Sequence, residues 1–302
     1  MVLTLRDLET WDRAGTSLAV LGHPIKHSIS PPMHNAALAQ LASAQPRFAS
    51  WKYFRFDIPP ENLPQALDLL HAKRFHGINL TVPHKVIAFD RVAEVDAAAQ
   101  PVGAVNTLRW TERGWTGFNT DGYGLASAVH ETLGRHLAGT PILLLGAGGA
   151  ARGAAVECLQ RRCASLTIAN RTPSNLATLL AILTPLAAAA EIPLRGIDPS
   201  APPRNLSTGL LVINATSAGL RAEDPAPIDL AALPRVAGVY DMIYNPPQPP
   251  LLRAAAALDL PHANGLAMLV HQGAKALEIW TGVPARQTSP VMSQAARAAL
   301  SP

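Results

Sequence analysis

The strongest indication of the fold is a glycine-rich stretch, Leu143-Leu144-Leu145-Gly146-Ala147-Gly148-Gly149-Ala150-Ala151. A short apolar run enters a G-x-G-x-x-A turn, and a helical pattern follows it to about residue 160. The first glycine permits a tight turn, the second lets backbone approach a pyrophosphate, and the small third residue allows the helix to pack closely on the sheet. The N-terminus of the helix then faces the anion. The stretch therefore predicts a strand–turn–helix unit that binds a dinucleotide.

Strand-like and helical runs alternate on both sides of this turn. In the second half, β-like runs at 142–145, 165–169, 210–214 and 238–242 are separated by helical runs at 150–160 and 174–183. In the first half, β-like runs at 17–21, 51–58, 77–82, 105–110 and 115–118 accompany helical runs at 31–42, 62–72 and 123–137. Two further helical stretches, 265–281 and 284–302, end the chain. Such alternation favours right-handed βαβ crossovers. We expect an α/β protein of two domains: an N-terminal α/β domain and a Rossmann-type domain with a doubly wound parallel sheet.

The residues after the second strand of the nucleotide-binding unit indicate which cofactor it takes. A site for NAD places an Asp or Glu there, which binds the ribose 2′-hydroxyl. This chain has Asn170-Arg171-Thr172 instead. The guanidinium of Arg171 is a planar donor fork that suits a 2′-phosphate. The pattern predicts NADP, and it disfavours a methyltransferase, the main alternative for the loop, because that enzyme would also need an acid here.

Composition narrows the class of protein. Charged residues make up 15% and hydrophobic ones 48% of 302 residues, as in a globular chain. The net charge of +4 comes without a Lys/Arg run, so we expect no nucleic-acid partner. The most apolar segment, 176–190, is about 15 residues long and contains Pro185, which is too short to span a bilayer. No signal peptide is recognisable at the N-terminus. We expect a cytoplasmic protein with no membrane partner.

Cysteines and histidines do not predict a metal site. Cys158 and Cys163 have the spacing of neither a disulfide framework nor a metal-binding motif. His23 and His27 are four residues apart, but Pro24 prevents the helix that would bring them together. We expect no metal.

Seven segments carry a resemblance to the shikimate dehydrogenase family, which extends from about residue 19 to residue 282. They are 22–31 (GHPIKHSISP), 77–85 (GINLTVPHK), 103–107 (GAVNT), 119–122 (NTDG), 214–219 (NATSAG), 240–246 (YDMIYNP) and 268–272 (MLVHQ). All seven stand in the family's order around the nucleotide loop. The resemblance implies an enzyme that reduces 3-dehydroshikimate to shikimate with NADPH, on the route to chorismate and aromatic amino acids. It also implies a monomer or homodimer.

The resemblance further implies a domain division and a set of site residues. Residues 1–121, completed by 265–302, would form the substrate-binding catalytic domain, and residues 122–264 the NADP-binding domain. Lys85 and Asp121 fall on the family's catalytic pair. The substrate contacts carry over to Ser28, Ser30, Thr81, Lys85, Asn106, Asp121, Tyr244 and Gln272. The cofactor contacts carry over to Gly146, Ala147, Gly148, Gly149, Ala150, Asn170, Arg171, Thr172, Thr216, Ser217, Met242 and Gly265.

The chemistry of the substrate agrees with these residue types. Ser28 and Ser30 are two residues apart, so an extended segment would point both hydroxyls the same way, toward a carboxylate. Hydride transfer turns the C3 carbonyl oxygen into an alkoxide, which the ammonium of Lys85 can stabilise and protonate. Asp121 can hold Lys85 in place and accept a hydrogen bond from a substrate hydroxyl.

Other interpretations stay open at this point. Ser30 before Pro31, and Asp121, are also ordinary helix N-caps. A quinate or quinate/shikimate dehydrogenase would prefer an acid near Arg171 and often a bulkier hydroxyl residue at Ser30. A catalytically silent NADP-binding regulatory protein of the same fold would be expected to lack Lys85 or Asp121.

Three features depart from the family pattern. Asn175 stands where many members have a lysine, which weakens the second contact to a 2′-phosphate. Gln248 or Pro249 replaces the threonine common before the paired leucines Leu251 and Leu252. About a dozen residues ahead of the first strand are left without an explanation.

Overall fold

The computed structural model of the chain describes residues 1–221 and 223–301. The chain forms two compact units, Met1–Thr120 with the segment from Val270 onward, and Asp121–Leu269. The boundaries predicted from the sequence are 121/122 and 264/265, and the two units divide at 120/121 and 269/270. The second boundary lies inside one continuous helix, Leu266–Thr281, which no local sequence signal interrupts. Pro302, the last residue of the predicted catalytic domain, lies outside the described residues.

The first unit contains a six-stranded sheet in the order β2-β1-β3-β5-β6-β4. Strands β1, β2 and β3 are parallel, and β5 pairs antiparallel with both β3 and β6. Its strands are β1 (Ser17–Gly22), β2 (Lys52–Asp57), β3 (Gly77–Leu80), β4 (Glu94–Val95), β5 (Thr107–Thr111) and β6 (Gly114–Phe118). Its helices are α1 (Leu5–Glu9), α2 (Ser30–Ala44), α3 (Leu63–Ala72), α4 (His84–Ile87) and, near the C-terminus, most of α9 (Leu266–Thr281) and α10 (Ala285–Leu300).

The residues ahead of β1 belong to the core of this unit. The Leu3 amide donates to the Arg55 carbonyl at 3.0 Å, and the Leu3 carbonyl accepts from the Asp57 amide at 2.7 Å. Leu8 is fully buried, and the Trp11 ring packs edge-on against Phe54 with 4.9 Å between centroids. Because β2 is an edge strand, this N-terminal segment covers backbone groups that would otherwise be open to pairing with another chain.

The second unit contains a parallel six-stranded sheet in the order β12-β11-β10-β7-β8-β9. Its strands are β7 (Pro141–Leu145), β8 (Ser165–Ala169), β9 (Leu194–Ile197), β10 (Leu210–Asn214), β11 (Val236–Asp241) and β12 (His262–Ala263). Its helices are α5 (Asp121–Leu133), α6 (Gly149–Gln160), α7 (Pro173–Ala190) and α8 (Pro250–Ala257). The chain starts at β7 in the middle, builds outward through β8 and β9, and then returns to the other side of β7. This reversal of strand order is the switch point at which Rossmann-type sheets bind ligands.

The fold class predicted from the sequence is confirmed, and the differences are local. Ser30 is not the N-cap of α2; it lies within the helix, whose N-cap is Ile29 and has no side-chain cap. Asp121 likewise lies in the first turn of α5. Strand β9 was not predicted, because Leu194-Arg195-Gly196-Ile197 lacks a strand pattern. It forms at the sheet edge through its pairing with β8.

Helix α7 is longer than the predicted 174–183 and includes most of the apolar segment. Among the described residues it is the one helix whose length and composition would allow it to cross a membrane, with a mean hydropathy of 1.4 over 18 residues. It connects the parallel strands β8 and β9, and its buried side chains are Leu179, Leu183 and Ala187. Gly196 on β9 lies against Leu176 and Leu180. The three buried residues of α7 pack within the βαβ crossover, and 17% of the 18-residue window is buried.

Candidate active site

A cavity of about 730 Å³ opens at the switch point of the second unit. The loops that follow the carboxyl ends of β7, β8 and β10 form most of it, and Pro199 after β9 also lines it. Predicted cofactor residues that line it are Gly146, Ala147, Gly148, Asn170, Arg171, Thr172, Thr216 and Ser217. Eight of the predicted positions thus surround one space, although they come from three separate stretches of sequence.

The glycine loop has the shape of a pyrophosphate cradle. Gly146 has a φ of +113°, which only glycine adopts without strain, and its amide donates to the Ala169 carbonyl at 2.8 Å. A Cβ placed on Gly148 or Gly149 would meet no described atom within 4 Å. Gly148 is the N-cap of α6 and provides no side-chain cap, so the first N–H groups of the helix are available to an anion. The loop fits a dinucleotide.

The loop after β8 presents a cation and no acid. The Asn170 amide group donates to the Thr172 carbonyl at 2.9 Å, which shapes the turn that carries the exposed Arg171. The carboxylate at the end of the next strand, Asp198, accepts hydrogen bonds from the amide and hydroxyl of Ser200, and these bonds hold its pKa below the usual value. Asp198 is not among the residues that line the cavity. This end of the cavity suits a 2′-phosphate.

A second arginine, Arg221, lines the same cavity on the opposite loop. Sequence analysis did not single it out, because it lies outside the family segments. The one carboxylate among the lining residues is Asp224, which accepts hydrogen bonds from the amides of Gly219 and Arg221 at 2.9 and 3.1 Å. Those bonds lower the pKa of Asp224. The acid is turned toward the loop backbone, so the cavity keeps an excess of positive charge.

A buried pair of side chains holds the loop after β10. Asn214 Nδ2 donates to Asp241 Oδ2 at 3.0 Å, and Asn214 Oδ1 accepts from the amide and hydroxyl of Thr216 at 3.0 and 2.7 Å. Asp241 Oδ1 accepts from the Ile243 amide at 3.0 Å. Asn214 and Asp241 are both fully buried. They connect the ends of β10 and β11 and set the position of Thr216, a predicted cofactor contact.

Burial raises the pKa of Asp241 from 3.8 to about 6, against the opposing hydrogen bonds from Asn214 and Ile243. The unfolded chain therefore loses this proton at a lower pH than the folded protein does. The stability that the protonated form contributes is fully present below about pH 4 and is lost as the pH rises through 6. The shift corresponds to a free energy on the order of 3 kcal/mol.

We expect Asp241→Asn to gain stability relative to the wild type as the pH rises from 4 to 6, because the variant has no charge to bury. The measurement is the difference in free energy of unfolding between the two proteins at several pH values in that range. Asp259→Asn, at an exposed site in the same unit, is the control. A difference that stays flat or falls with pH would contradict the assignment.

Four predicted cofactor residues do not line the cavity. Gly149 and Ala150 are in the first turn of α6, directly after the glycine loop that lines the cavity. Gly265 packs against the backbone of Met242, and its amide donates to the Ile243 carbonyl at 3.0 Å, so these two stretches lie together at the end of β11. Tyr244 is half-buried in the same region, and burial raises its pKa.

In the first unit, Asn106 is the centre of a buried polar cluster. Its side chain is 1% exposed, and its Nδ2 donates to Thr120 Oγ1 at 3.0 Å and to Gln272 Oε1 at 3.3 Å. Its Oδ1 accepts from the Thr120 amide at 2.9 Å. Asn106 and Gln272 are both predicted substrate contacts, and the fold joins them across 166 positions of sequence.

Asn79 and Tyr53 extend this cluster inward. Tyr53 donates to Asn79 Oδ1 at 2.8 Å, and Asn79 Nδ2 donates to the Asn106 carbonyl at 3.1 Å and to Thr107 Oγ1 at 2.9 Å. Sequence analysis did not select Asn79 or Thr120, although both lie inside the matching segments at 77–85 and 119–122. A polar residue in an otherwise apolar strand, as Asn79 is in β3, was the signal that could have found it.

Thr81 and Lys85 follow β3 in one rigid connection. The Thr81 amide donates to the Leu21 carbonyl at 3.0 Å, and the Thr81 methyl group lies over Gly22, where a Cβ would collide with it. Lys85 is half-buried in α4, and its carbonyl accepts from the Val105 amide at 3.0 Å. The ammonium of Lys85 therefore projects from backbone that is anchored on both sides.

Ser28 and Ser30 lie at the turn that leads into α2. The Ser28 amide donates to the Ile25 carbonyl at 3.0 Å, and the Ser30 amide donates to Ser28 Oγ at 3.3 Å. Ser28 is half-buried and Ser30 is buried. The two hydroxyls thus come from one tight turn rather than from the extended segment that sequence analysis assumed.

The histidines near these residues have structural contacts. His84 is fully buried, its Nε2 lies 2.9 Å from the Ile58 carbonyl, and burial lowers its pKa. His23 Nδ1 lies 2.6 Å from Asp57 Oδ1. Across residues 1–221 and 223–301, no group of three His, Cys, Asp or Glu side chains could hold a metal ion. Cys158 and Cys163 are buried free thiols, and burial raises the pKa of each.

Comparison with known proteins finds two matching family models. The family described as "Shikimate dehydrogenase substrate binding domain" matches residues 20–108, and that described as "Shikimate 5'-dehydrogenase C-terminal domain" matches residues 265–297. The shikimate dehydrogenase (NADP(+)) of Citrifermentans bemidjiense is 40% identical over 87% of this chain and 89% of its own length.

Solved structures are similar over nearly the whole chain. The shikimate 5-dehydrogenase of Thermus thermophilus, in complex with NADP(H) and shikimate, has a TM-score of 0.79 and 36% identity, covering 94% of this chain and 100% of that one. The 5-ketofructose reductase of a Gluconobacter species has a TM-score of 0.82 and 30% identity, covering 95% and 99%. Relatives of this fold thus include an enzyme named for another substrate, so the site must decide the reaction.

Proposed function

The chain belongs to the shikimate dehydrogenase family, and we propose that it catalyses the reversible reduction of 3-dehydroshikimate to shikimate with NADPH. The observation that carries the proposal is the cavity at the switch point, which presents Arg171 where an NAD site would present an acid. The glycine loop would hold the pyrophosphate at the N-terminus of α6, and Arg171 would hold the 2′-phosphate. NADPH, when bound, supplies the hydride.

Lys85 and Asp121 are the proposed catalytic residues. Reduction of the C3 ketone places negative charge on its oxygen, and an ammonium aimed at that oxygen stabilises the charge and delivers the proton. Asp121 stands in the first turn of α5, where the helix dipole favours a carboxylate. As an anion it can accept a hydrogen bond from a substrate hydroxyl.

The remaining proposed contacts bind the substrate. Ser28 and Ser30 would donate to its carboxylate, and Thr81, Asn106, Tyr244 and Gln272 would bind its ring hydroxyls. Asn106 and Gln272 support this assignment because each is already oriented by the other, so little conformational entropy is lost when substrate binds.

Oxidation and reduction assays test the proposal. We expect absorbance at 340 nm to rise with shikimate and NADP, and to rise much less with quinate or with NAD. The same assay run with NADPH and 5-ketofructose covers the activity named for the Gluconobacter relative. Turnover of quinate or 5-ketofructose above that of shikimate would reassign the substrate. Absence of turnover with all of them would favour a silent regulatory protein, although Lys85 and Asp121 are both present.

We also propose a soluble, cytoplasmic enzyme that is a monomer or a homodimer. The family to which the chain belongs supports a soluble protein. Cell fractionation and light scattering on the purified chain would test location and oligomeric state.

A further inference from the structure

Strand β2 holds the loop that carries Ser28 through two charged side chains. Arg55 and Asp57 are two residues apart, so they project from the same face of the strand. Arg55 Nη1 donates to the Lys26 carbonyl at 2.6 Å and to the Ser28 carbonyl at 2.9 Å. Asp57 Oδ1 contacts His23 Nδ1 at 2.6 Å. One strand face therefore binds the start and the end of the loop 23–28.

Arg55 is itself fixed in place. Its carbonyl accepts from the Leu3 amide at 3.0 Å, and Val20 of β1 is its partner on the other side of the strand. Its Nε is buried and has no acceptor among the described residues. From this position the Arg55 guanidinium binds the Lys26 and Ser28 carbonyls.

We propose that Arg55 is a positioning residue for the substrate carboxylate, acting through the Ser28 carbonyl to hold the hydroxyls of Ser28 and Ser30. The Ser30 amide donates to Ser28 Oγ, so a shift of Ser28 also releases Ser30. The inference rests on the proposed function, in which these two serines bind the carboxylate. Arg55 lies on β2, outside the seven segments that carry the family resemblance, and sequence analysis did not select it.

Arg55→Met tests the proposal, because it keeps an unbranched side chain about as long as the aliphatic stem of arginine and removes the donors. We expect the KM for shikimate to rise roughly 10- to 100-fold, the effect of losing a hydrogen bond to a charged group. We expect the KM for NADP to change less than about threefold, because no cofactor contact is altered. Arg55→Lys, which keeps a charged donor, should recover part of the affinity.

Arg13→Met is the matched control. Arg13 is half-buried in the same unit and donates to the Thr16 and Ser50 carbonyls at 3.2 and 2.7 Å, and to Ser17 Oγ at 3.4 Å. Its loss removes a comparable set of hydrogen bonds away from the serine loop. We expect a similar loss of thermal stability and an unchanged KM for shikimate.

Two further measurements separate positioning from general destabilisation. In a double-mutant cycle, the effects of Arg55→Met and Ser28→Ala on the KM for shikimate should be less than additive. Both variants weaken the same contact, between the Ser28 hydroxyl and the substrate carboxylate. Hydrogen–deuterium exchange of the peptide 23–30 should be faster in Arg55→Met and unchanged in Arg13→Met. The exchange measurement does not need activity, so it tests the loop even if the proposed function fails.

Specific results would overturn the inference. They are an equal rise of the KM for shikimate in the Arg55→Met and Arg13→Met variants, additive effects in the cycle, or unchanged exchange of the peptide 23–30. If the wild type does not turn over shikimate at all, the proposed function fails instead. Faster exchange in Arg55→Met alone would then still support the role of Arg55 in holding the loop.

Discussion

Lys85→Ala should lower turnover of shikimate by roughly 10²–10⁴-fold, the range for loss of a positioned acid–base group. The variant has no ammonium to stabilise the developing alkoxide or to supply the proton. The backbone of α4 is anchored by the Val105 amide, so the KM for NADP and the thermal stability should change little. Steady-state kinetics at saturating NADP and shikimate, with a melting curve for each protein, provide the measurement.

Lys73→Ala is the control for this prediction, because Lys73 is an exposed lysine that follows α3 in the same unit. Lys85→Arg separates the two roles of the ammonium: a guanidinium keeps the charge but does not release a proton near neutral pH. If Lys85 only stabilises charge, Lys85→Arg should retain far more turnover than Lys85→Ala. A Lys85→Ala variant with more than about a third of wild-type turnover would remove Lys85 from the catalytic residues.

The wild-type enzyme should prefer NADP over NAD by roughly 10- to 100-fold, since a charge-assisted contact contributes ~1.5–3 kcal/mol. Arg171→Ala should raise the KM for NADP and leave that for NAD nearly unchanged, because NAD has no 2′-phosphate to lose. With Asn175 in place of the lysine common in the family, we expect the lower part of the range. The measurement is the ratio of kcat/KM for the two cofactors at fixed ionic strength, since salt screens an exposed contact.

Arg204→Ala is the matched control, because Arg204 is exposed in the same unit and does not line the cavity. Arg221→Ala, measured in parallel, shows how much of the preference the second lining arginine carries. Asn170→Asp combined with Arg171→Ala should go further and favour NAD, because an acid there binds the ribose hydroxyl and repels the phosphate. If Arg171→Ala penalises both cofactors equally, Arg171 does not contact the phosphate.

The local sequence was enough to predict the turn at Gly146 and the strands and helices next to it. The turn at Gly146 needs a positive φ, and the residues around it show this need without reference to the rest of the chain. The strand and helix patterns on either side of it predicted the central strands of the second unit. Strand β9 was not predicted, because an edge strand with a charged residue and a glycine shows no apolar alternation. It forms through its pairing with β8.

The first residue of helix α2 could not be predicted from the local sequence. Ser30 before Pro31 has the pattern of an N-cap, yet α2 already includes Ser30. The Ser30 carbonyl instead accepts a hydrogen bond from His34 Nδ1 at 2.9 Å, and the Ser30 amide donates to Ser28 Oγ. Helix α2 therefore begins without a side-chain cap, and its first residue is held by a contact within the helix and by the preceding turn.

The family and the α/β class in two domains could be predicted from the sequence alone, because glycines, serines and charged groups at fixed spacings reflect local needs. The roles of the site residues stay predictions. Three features follow from the tertiary structure alone. They are the hydrogen bond between Asn106 and Gln272, the packing of Leu3, Leu8 and Trp11 in the first unit, and the hydrogen bonds from Arg55 to the loop 23–28. Each of these depends on residues far apart in the chain. Such contacts leave no periodic pattern, because the free energy that forms them comes from burial and hydrogen bonding between elements rather than within one.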